Sequence, residues 1–183
     1  MIDLNNKRNY SYVMSIKYNR ICFIGMSGIG KSSFGNTIAK KYNLPFIDTD
    51  TLIEANIPIS IQDYLKTNPE ESFLNLEEKV VLEMPFPEKI IIATGGSLIY
   101  CKKAMSYLKK HCTLIYLKDS LTNIQNRTKD FNKRGIVMKG SKTIQEVYHN
   151  RLNLYEKWSD ITITYPEKFS ISSIIALIEK EIL

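Results

Sequence analysis

Gly25-Met26-Ser27-Gly28-Ile29-Gly30-Lys31-Ser32 fills the template G-x-x-x-x-G-K-[ST] at each fixed position. Ahead of it runs Ile21-Cys22-Phe23-Ile24, a short apolar run. Behind it Phe34, Ile38 and Ala39 recur at helical spacing, so the local order is strand, tight loop, helix. Such a loop turns successive backbone N–H groups inward and ends at a helix N-terminus, which surrounds an anion with fixed partial positive charge. Gly28, Gly30, Lys31, Ser32 and Ser33 are the candidate nucleotide-phosphate set, in which Lys31 reaches the outer phosphates and the Ser32 hydroxyl ligates Mg2+. With glycine at about 7% of residues, this match arises by chance in fewer than about one chain in a hundred of this length.

The 183 residues are expected to form one domain, and 44% hydrophobic with 24% charged residues is the balance of a globular protein. No apolar run approaches the roughly 20 residues that span a bilayer, so no membrane association is expected. Residues 1–19 are polar, rich in Asn, Lys and Tyr, and lack a signal-peptide core; they read as an N-terminal extension to a domain at 20–183, with a cytoplasmic location. Cys22, Cys101 and Cys112 have no CxxC spacing and indicate neither disulfides nor zinc. The excess of 25 Lys and Arg over 19 Asp and Glu suits either nucleic acid or a site for a nucleotide and an acidic substrate. The lysines are scattered rather than clustered, which disfavours nucleic acid.

Working outward, a first strand at Arg20 to Ile24 leads through the loop into a helix from Lys31 to Tyr42, with Asn43 as its stop. Phe46-Ile47 begins a second strand that ends in Asp48-Thr49-Asp50. Ser60 caps a short helix, and Asn68-Pro69-Glu70-Glu71 reads as cap, first-turn proline and acids opening a helix with Phe73, Leu76, Val80 and Met84 on one stripe. Lys89 to Thr94 is a buried strand ending in Gly95-Gly96-Ser97. A helix from Ile99 to Lys110, a strand at Thr113 to Leu117 and a helix from Asp119-Ser120 to Arg127 follow. Residues 131–140 are polar and basic with two glycines, a mobile loop by composition. Ser141 is the expected cap of a long helix reaching Tyr155, and a strand at Ile161 to Thr164 and an amphipathic helix close the chain.

Short apolar strands alternating with helices call for an α/β fold, a parallel sheet with helices on both faces, whose ligands gather beyond the carboxyl ends of the strands. The phosphate loop, Asp48-Thr49-Asp50 and Gly95-Gly96-Ser97 all fall at such ends. No NKxD-type guanine reader occurs, which disfavours a GTPase. Asp48 and Asp50 alternate at a strand end and are expected to point different ways, one toward Mg2+ and its waters, the other toward a substrate hydroxyl as proton acceptor.

These elements together resemble the shikimate kinase family of P-loop small-molecule kinases. The resemblance is carried by residues 25–33, Phe46-Ile47-Asp48-Thr49-Asp50 with Ile53-Glu54, Phe73 with Glu77, Ala93-Thr94-Gly95-Gly96, Arg127-Thr128, Arg134, and Arg151-x-x-Leu154-Tyr155 with Asp160. It implies a parallel five-stranded sheet in order 2-3-1-4-5 with a lid at about 131–140, acting on ATP, Mg2+ and a small hydroxy acid. It further implies that Asp48 supports the metal, Asp50 binds the reacting hydroxyl, Arg127 packs on adenine and Arg134 meets the transferring phosphate. By the same resemblance Gly95 and Gly96 line the substrate pocket and Arg151 pairs with the substrate carboxylate. A monomer is expected.

Three positions depart from the family pattern. Leu74 stands where the family has a second carboxylate-binding arginine, Ser97 replaces the third glycine of Gly-Gly-Gly, and Gly135 replaces the proline after the lid arginine. Two alternatives therefore stay open beside shikimate: another small polyol or sugar acid such as gluconate, and a nucleotide-binding regulator without kinase activity.

Overall fold

The computed structural model describes residues 16–128 and 135–183; residues 1–15 and 129–134, which include Arg134 and the first part of the expected lid, lie outside the described residues. Five strands, β1 (Arg20–Ile24), β2 (Phe46–Asp48), β3 (Ile90–Ala93), β4 (Thr113–Lys118) and β5 (Ile161–Thr164), pair in parallel in the order 2-3-1-4-5. The helices are α1 (Lys31–Lys41), α2 (Thr49–Asn56), α3 (Ile61–Thr67), α4 (Glu70–Glu83), α5 (Lys102–His111), α6 (Leu121–Arg127), α7 (Ile144–Trp158) and α8 (Ile171–Ile182).

Consecutive residues of β1 and β3 are buried, although their side chains alternate between faces, so both faces of the sheet centre are covered. Ile21, Phe23, Ile90, Ile91, Ile92, Leu114 and Ile115 are each at most 1% exposed. Fully burying such a side chain stabilises by roughly 1.5–3 kcal/mol, which makes these strands a rigid platform for their carboxyl-end loops. β1 lies between β3 and β4, so the phosphate loop leaves the sheet centre where the connections diverge to either side, the place where ligands settle in open α/β sheets.

The structure redraws four local boundaries. β2 stops at Asp48, whose side chain accepts from the Asp50 N–H at 2.9 Å, so Asp50 lies in the first turn of α2 rather than on an extended strand. A helix cap, not strand alternation, therefore separates the directions of the two carboxylates. Asn68 closes α3, its N–H donating to the Tyr64 carbonyl at 2.9 Å, and Pro69 becomes the N-cap of α4. A short 3-10 turn (Leu98–Tyr100) precedes α5, because Cys101 leaves helical geometry and donates its thiol to the Leu74 carbonyl at 3.3 Å. Thr143, not Ser141, caps α7, accepting from the Glu146 N–H at 3.2 Å.

Candidate active site

The phosphate loop follows from its glycines. Gly30 is the N-cap of α1 at φ 111°, and a Cβ there would stand 2.6 Å from the Phe34 ring, so backbone angle and space both require glycine. Lys31 is 6% exposed, and its ammonium donates to the carbonyls of Gly25 at 2.7 Å and Met26 at 2.8 Å, which hold it across the loop mouth. A cavity of about 430 Å³ opens above it, lined by Gly28, Gly30, Lys31, Ser32, Ser33, Asp50, Arg127 and neighbours. All five residues of the predicted phosphate set thus line one cavity.

At its far side Arg127 lies over the rings of Phe169 at 4.4 Å and Tyr165 at 5.3 Å. Its Nη1 is 2.6 Å from Asp119 Oδ2, an ion pair by distance whose angle falls outside hydrogen bonding, and its Nη2 is buried with no hydrogen-bond partner among the described residues. A flat guanidinium fixed this way is a shelf for a planar base. Asp119 and Phe169 were not assigned from the sequence; Asp119 reads there as a helix cap, although its place at the end of β4, like Asp48 at the end of β2, is the signal that could have found it.

A second cavity of about 250 Å³ is lined by Ser27, Asp50, Glu54, Ser60, Ile61, Gln62 and Gly135. Ser27 and Asp50 belong to both cavities, so the Asp50 carboxylate stands where the two cavities meet. Thr49 joins the two strand ends, its hydroxyl accepting from the Gly95 N–H at 2.9 Å. A Cβ on Gly95 would lie 2.6 Å from Asp50 Oδ1 and 2.5 Å from Glu77 Oε1, so only glycine lets these two carboxyl groups approach from one side.

Arg151, on α7 and 1% exposed, lines neither cavity, nor do Gly95 and Gly96; it packs beside Gly96. Its Nη2 donates to the Val137 carbonyl at 2.7 Å, its Nε to the Tyr100 hydroxyl at 3.4 Å, and its Nη1 lies 3.1 Å from where a Gly96 Cβ would be. Burial opposes its charge, yet the Tyr155 and Tyr100 hydroxyls around it raise its affinity for the proton. Tyr155 stacks on Tyr116 and donates to the Gly96 carbonyl at 2.7 Å, which couples the substrate-side glycine to the arginine helix. Glu77 reaches the same corner from α4: 1% exposed, it accepts from the Ser97 hydroxyl at 2.6 Å. Burial pushes its carboxyl up to about 8, helped by Asp50 and opposed by Ser97, Arg151 and Lys31. Leu74 is 6% exposed and belongs to the apolar core.

The described part of the expected lid is fastened. The N–H groups of Met138 and Lys139 donate to the two Glu70 oxygens at 2.5 and 2.8 Å, and Val137 is 1% exposed. Arg134 falls outside the described residues. Asp160 lies apart from the cavities; it accepts from the Leu114 N–H at 2.9 Å and pairs with Lys109, tying β5 to β4.

Of the two expected cation ligands, Ser32 lines the first cavity, whereas Asp48 lines neither cavity and its carboxylate caps α2, and no group of three His, Cys, Asp or Glu gathers among the described residues. That fits Mg2+, which keeps waters and binds one or two protein oxygens together with substrate phosphates. No described helix is long and apolar enough to cross a membrane.

A phosphate cradle whose cavity shares one carboxylate with a second, smaller cavity defines a P-loop kinase that hands a phosphoryl group to a small molecule. The shikimate kinase family model matches residues 27–180, and the chain belongs to that family. The shikimate kinase of Dictyoglomus turgidum is 31% identical over 152 residues, 81% of this chain and 88% of that one. That of Blochmanniella floridana is 31% identical over 172 residues, 88% and 93% of the two chains. Among solved structures, the shikimate kinase of Acinetobacter baumannii in complex with shikimate aligns at TM-score 0.76 and 23% identity, covering 89% of this chain and 90% of that one. The family's reaction is ATP-dependent phosphorylation of shikimate, and the gluconate and regulator alternatives are not favoured.

Proposed function

We propose that this protein transfers the γ-phosphoryl group of ATP to a hydroxyl of shikimate with residues 20–183 as one kinase domain, Mg2+ held by Ser32 and Asp48, and Asp50 as the proton acceptor. The observation that carries the reading is the shared position of Asp50 on both cavities. A hydroxyl held there loses its proton to Asp50 as its oxygen bonds to the γ-phosphorus and the bond to the β-phosphate oxygen breaks, releasing ADP. Mg2+ would neutralise charge on the phosphate oxygens. Lys31 and the loop N–H groups stabilise the same charge from the protein side. Arg127 shelves the base, Gly95 and Gly96 allow the substrate close to backbone, and Arg151 binds its carboxylate. Arg134 is assigned to the transferring phosphate, with the lid at about 131–140, on the family pattern. The protein is expected to act as a monomer in the cytoplasm, with no nucleic-acid or membrane partner.

ADP release measured with shikimate, with gluconate and with neither, each with and without Mg2+, tests the assignment. Turnover confined to shikimate with Mg2+ is expected. Equal turnover without acceptor makes the protein an ATPase, and preference for gluconate moves the substrate.

A further inference from the structure

Positions 74 and 77 are neighbours one turn apart on α4, so a cation at 74 would stand beside the Glu77 carboxyl. Leucine at 74 supplies no charge there and packs into the apolar core instead. Ser97, the residue that departs from glycine, donates its hydroxyl to Glu77 Oε2 at 2.6 Å. Glu77 Oε1 is buried with no hydrogen-bond partner among the described residues, and it is aimed at the side of Gly95 that Asp50 also faces. The two departures therefore meet on one carboxyl group.

Charge decides what that group can be. Among the described residues Arg151 is the guanidinium that acts on this carboxyl, and an ionised Glu77 would offset its charge toward a carboxylate substrate. We propose that Glu77 is a positioning residue for acceptor specificity: held by Ser97 and carrying its proton, it leaves Arg151 the full positive charge that reads the substrate carboxylate, which makes Leu74 tolerable. The proposal rests on the shikimate reading above.

The surroundings agree. Burial is the largest influence on Glu77 and opposes ionisation; Asp50 on α2 acts the same way, while Ser97, Arg151 on α7 and Lys31 on α1 favour the carboxylate. The balance leaves the carboxyl at about 8. Cys101 and Tyr155, which also feel Glu77, are each pushed up to about 12 mainly by burial and stay neutral through this range.

Initial rates at saturating ATP between pH 6.5 and about 9.5 provide the test, with wild type, Glu77→Gln and Ser97→Ala, and KM for ATP as the control. In wild type the KM for shikimate should rise about tenfold or more above an inflection near about 8, with KM for ATP unmoved. Glu77→Gln should abolish the rise. Ser97→Ala should move the inflection upward, because the lost hydroxyl no longer favours the carboxylate. A flat wild-type KM, a rise that persists in Glu77→Gln, or an unmoved inflection in Ser97→Ala overturns the proposal; the last result decides if Glu77→Gln does not fold. Absence of shikimate turnover at every pH fails the activity itself, whereas turnover with a flat KM fails this proposal alone.

Discussion

The nucleotide side and the acceptor side of the cleft are built in opposite ways. Around Lys31 the cavity is lined mostly by one continuous segment, Ser27 to Ser33, whose shape glycine angles impose, with Asp50, Thr94, Arg127 and Thr128 completing it. Around Arg151 the residues come from α4, the turn after β3, and α7, and among the described residues side-chain hydrogen bonds join them: Ser97 to Glu77, Tyr155 to Gly96, Arg151 to Val137. The first design tolerates little change because its chemistry is the backbone. The second can exchange partners, and the proposed pairing of Leu74 with the Ser97–Glu77 contact is such an exchange.

Breaking the junction between the two sides should have the largest effect. Asp50→Asn removes the carboxylate proposed as proton acceptor and should lower kcat by roughly 10²–10⁴-fold, with the Kd for ATP much less affected. Collapse of ATP affinity with kcat preserved would place Asp50 on the nucleotide or its metal instead. On the nucleotide side alone, Lys31→Ala should lower kcat by about 10²–10³-fold without unfolding the protein, since Lys31 bonds to loop carbonyls rather than filling the core. Unchanged turnover in that variant would remove the phosphate loop from the reaction.

On the acceptor side Glu77→Gln should separate stability from pH. The folded carboxyl titrates at about 8, against an ordinary value of 4.5. Between those values the unfolded chain has lost the proton that the folded chain keeps, so stability falls as pH rises through this window. Glutamine removes the loss. Urea unfolding should therefore find the variant on the order of a few kcal/mol more stable than wild type at pH 8 and nearly equal at pH 5. Equal stability at both would mean that the carboxyl is not buried as a neutral acid.

Leu74→Arg sharpens the same contrast. A second guanidinium should lower the KM for shikimate by roughly 10 to 150-fold, the range of one charge-assisted contact. The change should also lower Tm, because Leu74 lies in the core. An unchanged KM would show that position 74 does not reach the acceptor. The smallest expected effect belongs to Glu70→Ala, which removes the acceptor of the Met138 and Lys139 N–H groups at a cost of about 1–3 kcal/mol. Amide exchange at residues 137–139 should quicken while exchange in β3 stays slow; uniform protection would mean that Val137 alone holds the segment.

The sequence by itself determined the sheet and the phosphate site. The apolar runs at Ile21–Ile24 and Ile90–Ile92 mark strands covered on both faces, because local residues suffice to state that burial, and the loop at Gly25 to Ser32 is legible because its function lies in backbone angles set by adjacent glycines. Where neighbouring helices compete for one residue, local reading slips: Asn68 closes α3 instead of opening α4, and Asp50 enters a helix because Asp48 caps it. Only the tertiary structure decided the acceptor corner. In the sequence Glu77 shows only as an acid on a helix that matches the family pattern with Phe73, and Ser97 only as a missing glycine. Their meaning arises when packing buries the carboxyl and leaves the Ser97 hydroxyl as its hydrogen-bond partner and Arg151 as the guanidinium acting on it among the described residues. Desolvation is a property of the surroundings in three dimensions, and no local pattern of residues encodes it.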